Sequence, residues 1–152
     1  MLAIVQRCTS SSVYVDNEII SKISLGLLIF LGVLKGDEKK DSEYIAKKIT
    51  ALRIFSDKKG KMNLSINDVK GSILVVSQFT LCANLRRGSR PSFMEAASPK
   101  IGESLYDYFV SYLRKNNAEV QTGKFGANMD VELVNQGPAT FIIDSKLWIN
   151  KT

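Results

Sequence analysis

The run from Leu25 to Leu34, reading LGLLIFLGVL, constrains this chain more than any other stretch. It is apolar on both faces of an extended backbone, which suits a central strand covered on both sides. Gly26 and Gly32 lie inside it, and glycine within a strand marks a place where other backbone comes close. The run is too short for a membrane helix, which needs about 20 apolar residues. The rest of the chain must therefore supply two covering layers.

The neighbouring segments can do so. Leu2–Arg7 and Ser12–Val15 read as short strands joined by a Ser/Thr-rich turn, and Ile19–Ile23 continues the meander after Asp16-Asn17. The period then changes. Ile45, Ile49 and Leu52 share one helical stripe, with Lys47, Lys48 and Arg53 off it, so a helix is expected over about 40–54 with Asp41 or a neighbour as its cap. The charged turn DKKGK, Asp57–Lys61, reads as a solvated loop. Strand composition returns at Ile73–Phe79. Ser98-Pro99 opens a second helix in the expected order of cap and first residue, with an apolar stripe of Ile101, Leu105, Tyr108, Phe109 and Tyr112. Segments 118–122, 129–134 and 139–145 complete the strands. The expected fold class is α+β: one domain over residues 1–152, with a mostly antiparallel, barrel-like sheet and two main helices packed against it.

Absences narrow the chemistry. The chain has no histidine and two cysteines. Imidazole acid/base catalysis and Cys- or His-built zinc cages are therefore excluded within one chain, and no metal or other cofactor is expected. Cys8 and Cys82 read as reduced thiols of a cytoplasmic protein. No basic segment or cleavage site precedes the apolar Leu2–Val5 stretch, which reads as a first strand and not as a signal peptide, and no membrane association is expected. The net charge of +6 is compatible with a nucleic-acid partner.

Three places offer chemistry. At Ser77-Gln78-Phe79-Thr80-Leu81-Cys82-Ala83 a buried strand opens into a polar turn. There Gln78 and backbone N–H groups could stabilise an oxyanion, and Thr80 carries the nearest hydroxyl. Without a base at hand that hydroxyl is a weak nucleophile, and the same residues also read as a simple strand end. Arg86, Arg87 and Arg90 form a basic loop suited to phosphates or merely solvated, and Lys124-Phe125 would suit a stacked base or a core position. Finally, Asn135-Gln136-Gly137-Pro138-Ala139-Thr140 interrupts a strand pattern with a residue that has no N–H and one that has no Cβ. That makes either a plain corner or a stretch of bare main chain presented to a ligand.

Two of these stretches resemble the paired signatures of the D-aminoacyl-tRNA deacylases, SQFTLxA at Ser77–Ala83 and NxGPxT at Asn135–Thr140. Gln6-Arg7, the Gly32 region, RRGSRPSF and KFGANM are similar to that family too. The usual tyrosine of the first signature is Cys82 here. The resemblance implies a homodimeric hydrolase acting on the acceptor end of aminoacyl-tRNA, with the active site at the subunit interface. It implies catalytic roles for Gln78, Phe79 and Thr80, and substrate binding by Ser77, Ala83, Phe125, Met129, Gly137 and Pro138. Arg86, Arg87, Arg90 and Lys124 would contact the tRNA, while Asn135 and Thr140 belong to the second motif. It further implies a cis Gly137–Pro138 peptide that reaches into the partner's pocket and excludes L side chains, which would leave glycyl-tRNA as a possible second substrate. The alternative is a non-catalytic tRNA- or RNA-binding domain that uses the basic loop.

Overall fold

The computed structural model describes residues 1–86, 88–116 and 119–149, apart from the side chains of Trp148 and Ile149. The expected central strand is β3, Gly26–Gly32, and its residues are buried except for the half-buried Phe30. Its glycines have a physical reason. A Cβ on Gly26 would sit 1.8 Å from the Ser72 carbonyl oxygen, and one on Gly32 would lie 3.0 Å from Leu81 Cβ and 3.1 Å from the Gln78 carbonyl oxygen.

β1 is one long strand, Leu2–Val15, where two strands and a turn were expected. It pairs with β3 over Leu2–Cys8, then with β2 (Glu18–Ile23) over Ser11–Val15. The Ser/Thr-rich stretch is thus a place where the strand changes partner across a bulge and bends, not a turn. Ser11 and Ser12 are buried, and the Ser11 hydroxyl donates to the Glu132 carbonyl oxygen at 2.8 Å.

After β3 come α1 (Lys39–Ala51), the short hairpin β4 (Phe55–Ser56) and β5 (Met62–Leu64), and β6 (Ser72–Ser77). A 3-10 turn, Phe79–Cys82, precedes α2 (Pro99–Lys115), β7 (Glu119–Thr122), β8 (Asp130–Asp144) and the short α3 (Lys146–Ile149). α1 ends three residues before the expected boundary at 54, because Ile54 and Phe55 leave the helix to enter the core. Glu38 takes the cap position of α1, and the Asp41 carboxylate accepts the Glu38 N–H at 2.8 Å. Ser98 and Pro99 start α2 as expected.

The sheet runs β2-β1-β3-β6-β7, with β8 along the other side of β1. It is mixed and not purely antiparallel: β1 pairs antiparallel with β2, β3 and β8, as expected for most of the sheet, but β3–β6 and β6–β7 are parallel pairs. The reason is connectivity. Parallel neighbours need a crossover, and α1 and α2 provide one each. The sheet curls until β2 lies against β6 and β7, where the Ser21 hydroxyl donates to the Thr122 carbonyl oxygen, so the barrel is nearly closed.

Alternation along the strands divides the core. Ala3, Val5, Leu27, Ile29, Leu31, Ile73 and Val75 meet the helices through Ile45, Ile49, Leu105, Phe109 and Leu113. Cys8, Val13, Ile23, Leu28, Leu74 and Val76 fill the barrel, with Met129 and Val131 packed on them. Both covering layers that the apolar run demanded are present.

Candidate active site

β6 and the turn after it carry the first of the stretches that offer chemistry, Ser77–Ala83. Gln78 N–H donates to the Leu31 carbonyl oxygen at 2.8 Å, which fixes the chain where it leaves the sheet. The 3-10 turn then packs on β3 where Gly32 has no side chain. Cys82 lies buried beneath it, its thiol 3.4 Å from the Val33 carbonyl oxygen and pushed up in pKa by burial. Cys82 is therefore a packing residue. The N–H groups of Phe79 and Thr80 begin the turn and have no acceptor among the described residues, as expected at the start of a helical turn.

A cavity of about 570 Å³ opens beside this turn, lined by Ser77, Gln78 and Phe79 on one side and by Phe125, Met129 and Tyr106 on the other. α2 contributes Pro99 and Gly102, and a Cβ at Gly102 would stand 3.5 Å from the Phe125 ring. Phe125 is held against Tyr106, with ring centroids 5.7 Å apart. Tyr106 donates to the Val75 carbonyl oxygen at 2.9 Å, and burial pushes its phenol well above the ordinary range, so it stays neutral. Met129 sulfur sits where a Cβ on Gly123 would lie, 2.7 Å away, and it accepts the Lys124 N–H at 3.4 Å. The wall is thus mostly apolar and aromatic, with its polar groups at the Ser77–Phe79 edge.

Within that edge the Gln78 amide donates to the Thr80 hydroxyl oxygen. Thr80 is exposed, and its neighbour in this contact is a proton donor and not a base. The arrangement favours donors that wait for a developing negative charge over an activated threonine nucleophile. Phe79 is 60% exposed and packs edge-on against Phe93 at the foot of the basic loop, ring centroids 5.0 Å apart. That loop is closed at its base by Asn84 and Ser92, which exchange backbone hydrogen bonds of 2.7 and 3.1 Å. Arg86 and Arg90 are exposed on it, whereas Arg87 lies outside the described residues. Ala83 follows the turn and does not line the cavity, and Lys124 is exposed beside it.

The Gly137–Pro138 segment lies elsewhere in the chain's own fold. It is not a corner between two strands but an outward loop within β8. Gln6 faces Thr140 and Cys8 faces Asn135, so two steps along β1 span five along β8, and Gln136–Pro138 bulge out while Ala139 is buried. The Gly137–Pro138 peptide is cis, as the resemblance implies. The motif residues strap the loop from below. Gln6 Nε2 donates to Thr140 Oγ1 at 3.2 Å, Asn135 Nδ2 donates to the same oxygen at 3.4 Å, and Asn135 Oδ1 lies 2.8 Å from where a Gly137 Cβ would be.

Arg7, named only within the Gln6-Arg7 likeness, is the residue to which motif reasoning gave no role. It is 6% exposed, its Nε donates to the Gln136 carbonyl oxygen at 3.0 Å, and its Nη1 donates to the Ile54 carbonyl oxygen. An arginine amid apolar alternation on β1 was the available signal, because such a charge is retained inside only when its N–H groups are used. Gly137 and Pro138 are exposed and form no part of the cavity of their own chain. Among the described residues no cluster of three or more potential metal ligands occurs. Asp130 and Glu132 lie on the exposed side of β8, with Glu132 accepting the Tyr14 hydroxyl at 2.9 Å. No helix among the described residues is long and apolar enough to cross a membrane.

Comparison with known proteins agrees with the geometry. The family model described as D-Tyr-tRNA(Tyr) deacylase matches residues 4–144. A D-aminoacyl-tRNA deacylase of Thermosipho melanesiensis is 55% identical over 147 residues, 96% of this chain and 98% of that protein. One from Bacillus cytotoxicus is 52% identical over 146 residues, 96% of this chain and all of the relative. Among solved structures, the c-Myc DNA unwinding element binding protein superposes with a TM-score of 0.90 at 39% identity, covering 95% of this chain and 98% of its own. A probable eukaryotic D-amino acid tRNA deacylase shares the fold, with a TM-score of 0.79 at 17% identity over 94% and 98% of the two chains. The match spans both the cavity edge at Ser77–Cys82 and the strapped Asn135–Thr140 loop, so this chain belongs to the D-Tyr-tRNA(Tyr) deacylase family.

Proposed function

We propose that the protein hydrolyses the ester bond of D-aminoacyl-tRNA, releasing the D-amino acid and free tRNA. The observation that carries this is the cavity edge, where Gln78 and Phe79 line a mostly apolar chamber and the N–H groups of Phe79 and Thr80 beside it have no acceptor among the described residues. The chamber suits the terminal adenosine, with Phe125 and Met129 against the base. Water attacks the ester carbonyl carbon, and the N–H groups of Phe79 and Thr80 hold the resulting oxyanion together with Gln78. The ribose oxygen of the ester departs as the tetrahedral adduct collapses, and it takes a proton. The neighbouring ribose hydroxyl orients the water and relays that proton, which fits a chain with no histidine. Thr80 positions Gln78.

The Gly137–Pro138 main chain serves as the selective wall, reaching into the partner's cavity in a homodimer. Two observations support a second copy. β8 pairs with β1 alone among the described strands, which leaves its other edge open. Val134 and Ile142 on it are 58% and 77% exposed. An open apolar edge strand of this kind asks for cover. A wall of backbone excludes an L side chain and tolerates D side chains of many types, and glycine has nothing to exclude. The remaining expectations are a cytoplasmic location and contact of Arg86, Arg87, Arg90 and Lys124 with the tRNA.

The deciding assay is release of D-tyrosine from D-tyrosyl-tRNA beside the L-ester and the glycyl ester. We expect D and glycyl esters to be cleaved and the L-ester to be spared. Binding of all three with cleavage of none would instead make this an RNA-binding domain. On tRNA ending in 2′-deoxyadenosine the rate should fall by about 10² or more, the scale of one proton-transfer group. Full activity there would sink the ribose-assisted route.

Arg7→Lys tests the wall's support. A single ammonium cannot fork to both the Gln136 and Ile54 carbonyl oxygens, so one nearly buried acceptor loses its partner, at a cost of about 1–3 kcal/mol. We expect about tenfold lower kcat/KM on the D-ester and a smaller gap between D- and L-esters. An unchanged D/L ratio would remove Arg7 from this role.

A further inference from the structure

We propose that the β4–β5 hairpin is a second contact for the RNA, gripping the phosphate backbone of the acceptor strand beside the Gly137–Pro138 loop. This rests on the reading that the protein acts on aminoacyl-tRNA. Between residues 53 and 64 the chain carries Arg53, Lys58, Lys59 and Lys61 against one acid, Asp57, so this segment holds +3 of the whole chain's +6. Read from the sequence alone, DKKGK is a solvated turn, and two structural features set it apart.

The first feature is order. Asp57 Oδ1 accepts the Lys59 and Lys61 N–H groups at 2.8 and 3.0 Å, and Asp57 Oδ2 accepts the Asn63 amide at 3.3 Å. These bonds hold the Asp57 carboxyl below its ordinary pKa, the Lys61 N–H contributing most. The turn closes through Asp57 N–H to the Lys61 carbonyl oxygen at 2.8 Å, and Gly60, at φ +75°, makes the reversal. Arg53 is pinned along the hairpin by the Asn63 carbonyl oxygen at 2.7 Å and by the Asn63 side chain. Asp68, whose carboxylate feels the Arg53 charge, is occupied by the Ser65 N–H and hydroxyl at 2.8 and 2.7 Å. The one carboxylate in the hairpin thus spends its oxygens on the turn itself. Lys58, Lys59 and Lys61 stand exposed, and among the described residues none of them is in an ion pair. A preformed cationic turn loses less freedom on binding a polyanion than loose lysines would.

The second feature is place. Arg7 joins the Gln136 carbonyl oxygen of the selective loop to the Ile54 carbonyl oxygen, the residue just before β4. Lys58 follows Ile54 by four residues, so at full extension it lies within about 14 Å of that junction. This places the turn within reach of the next phosphates of an RNA whose 3′ end meets the Gly137–Pro138 loop. Phosphate contacts of this kind raise affinity and set register without reading sequence.

The test compares the parent with K58E/K59E/K61E on two substrates, D-tyrosyl-tRNA and D-tyrosyl-adenosine, which lacks all the phosphates. At about 0.1 M salt we expect kcat/KM on the tRNA to fall tenfold or more. The slope of log kcat/KM against log salt should flatten by about 2–3, while the adenosine ester is cleaved within twofold of the parent rate. The neutral variant K58Q/K59Q/K61Q should fall between. K39E/K40E reverses charge at the far end of α1, about 20 Å along that helix, and should keep the parental salt slope. A parental rate and slope on tRNA in the hairpin variant overturns the proposal. So does an equal loss on the adenosine ester, or an equal loss in K39E/K40E. A parent that cleaves neither substrate overturns the deacylase reading itself, and this proposal with it.

Discussion

Gln78→Ala is expected to lower kcat on D-tyrosyl-tRNA by about 10²–10³ while KM changes little, the usual cost of removing one oxyanion donor. Gln78 is half-buried at the cavity edge, beside the N–H groups of Phe79 and Thr80. One of its amide hydrogens is engaged by the Thr80 hydroxyl, which fixes the amide plane and leaves the other free for substrate. Because that second contact forms only as charge develops, its loss belongs in kcat. Single-turnover hydrolysis with saturating enzyme measures it directly. Thr80→Ala should cost less, about tenfold, since it removes the support and keeps the donor. The reverse order, with Thr80→Ala abolishing turnover and Gln78→Ala near the parental rate, would restore the threonine nucleophile and refute the donor role.

Gly26→Ala is expected to destabilise the fold by about 3 kcal/mol or more, at the upper end of what overpacking costs. The added Cβ would stand 1.8 Å from the Ser72 carbonyl oxygen and 2.8 Å from its carbon, and both are main-chain atoms of the neighbouring strand. A flexible side chain could swing aside, but a paired strand cannot. Gly26 and Ser72 are also the first residues of the parallel β3–β6 ladder, so relief there means opening the sheet at its centre. For a domain of this size such a loss lowers Tm by about 6–12 °C, readable by calorimetry or circular dichroism. A parental Tm would show that the two strands can part at no cost. Gly126→Ala makes an instructive contrast. Its Cβ would meet nothing within 4 Å, and any effect there comes from its φ of +74° alone.

Much of the local structure was legible in the chain. The apolar Leu25–Leu34 run did become the strand buried on both faces, α2 begins at its Ser98-marked cap, and α1 begins within a residue or two of the expected start, with Glu38 and not Asp41 as its cap. Strand direction was not legible. A strand buried on both faces can be central in either kind of ladder, so the parallel pairs β3–β6 and β6–β7 follow from where α1 and α2 cross over. Nor could bulges be read. The Ser/Thr stretch of β1 looked like a turn because those residues favour turns, yet β8 pairs along it while β3 gives way to β2 on the other side.

The candidate site divides in the same way. Residue types alone excluded imidazole and zinc chemistry, and the spacing within Ser77–Ala83 and Asn135–Thr140 carried the family. Only the fold assembled the chamber, because Ser77–Phe79 and Phe125–Met129 are distant in sequence and meet through the β6–β7 pairing and the packing of α2. Only the fold explains Arg7, whose guanidinium links residues 54 and 136 across strands. The chain by itself determined which groups are available for chemistry, since composition and local spacing are properties of the polymer. Which of those groups stand together, and which loop faces outward, was decided by long-range packing, since contacts between remote segments exist only once the sheet has closed around its core.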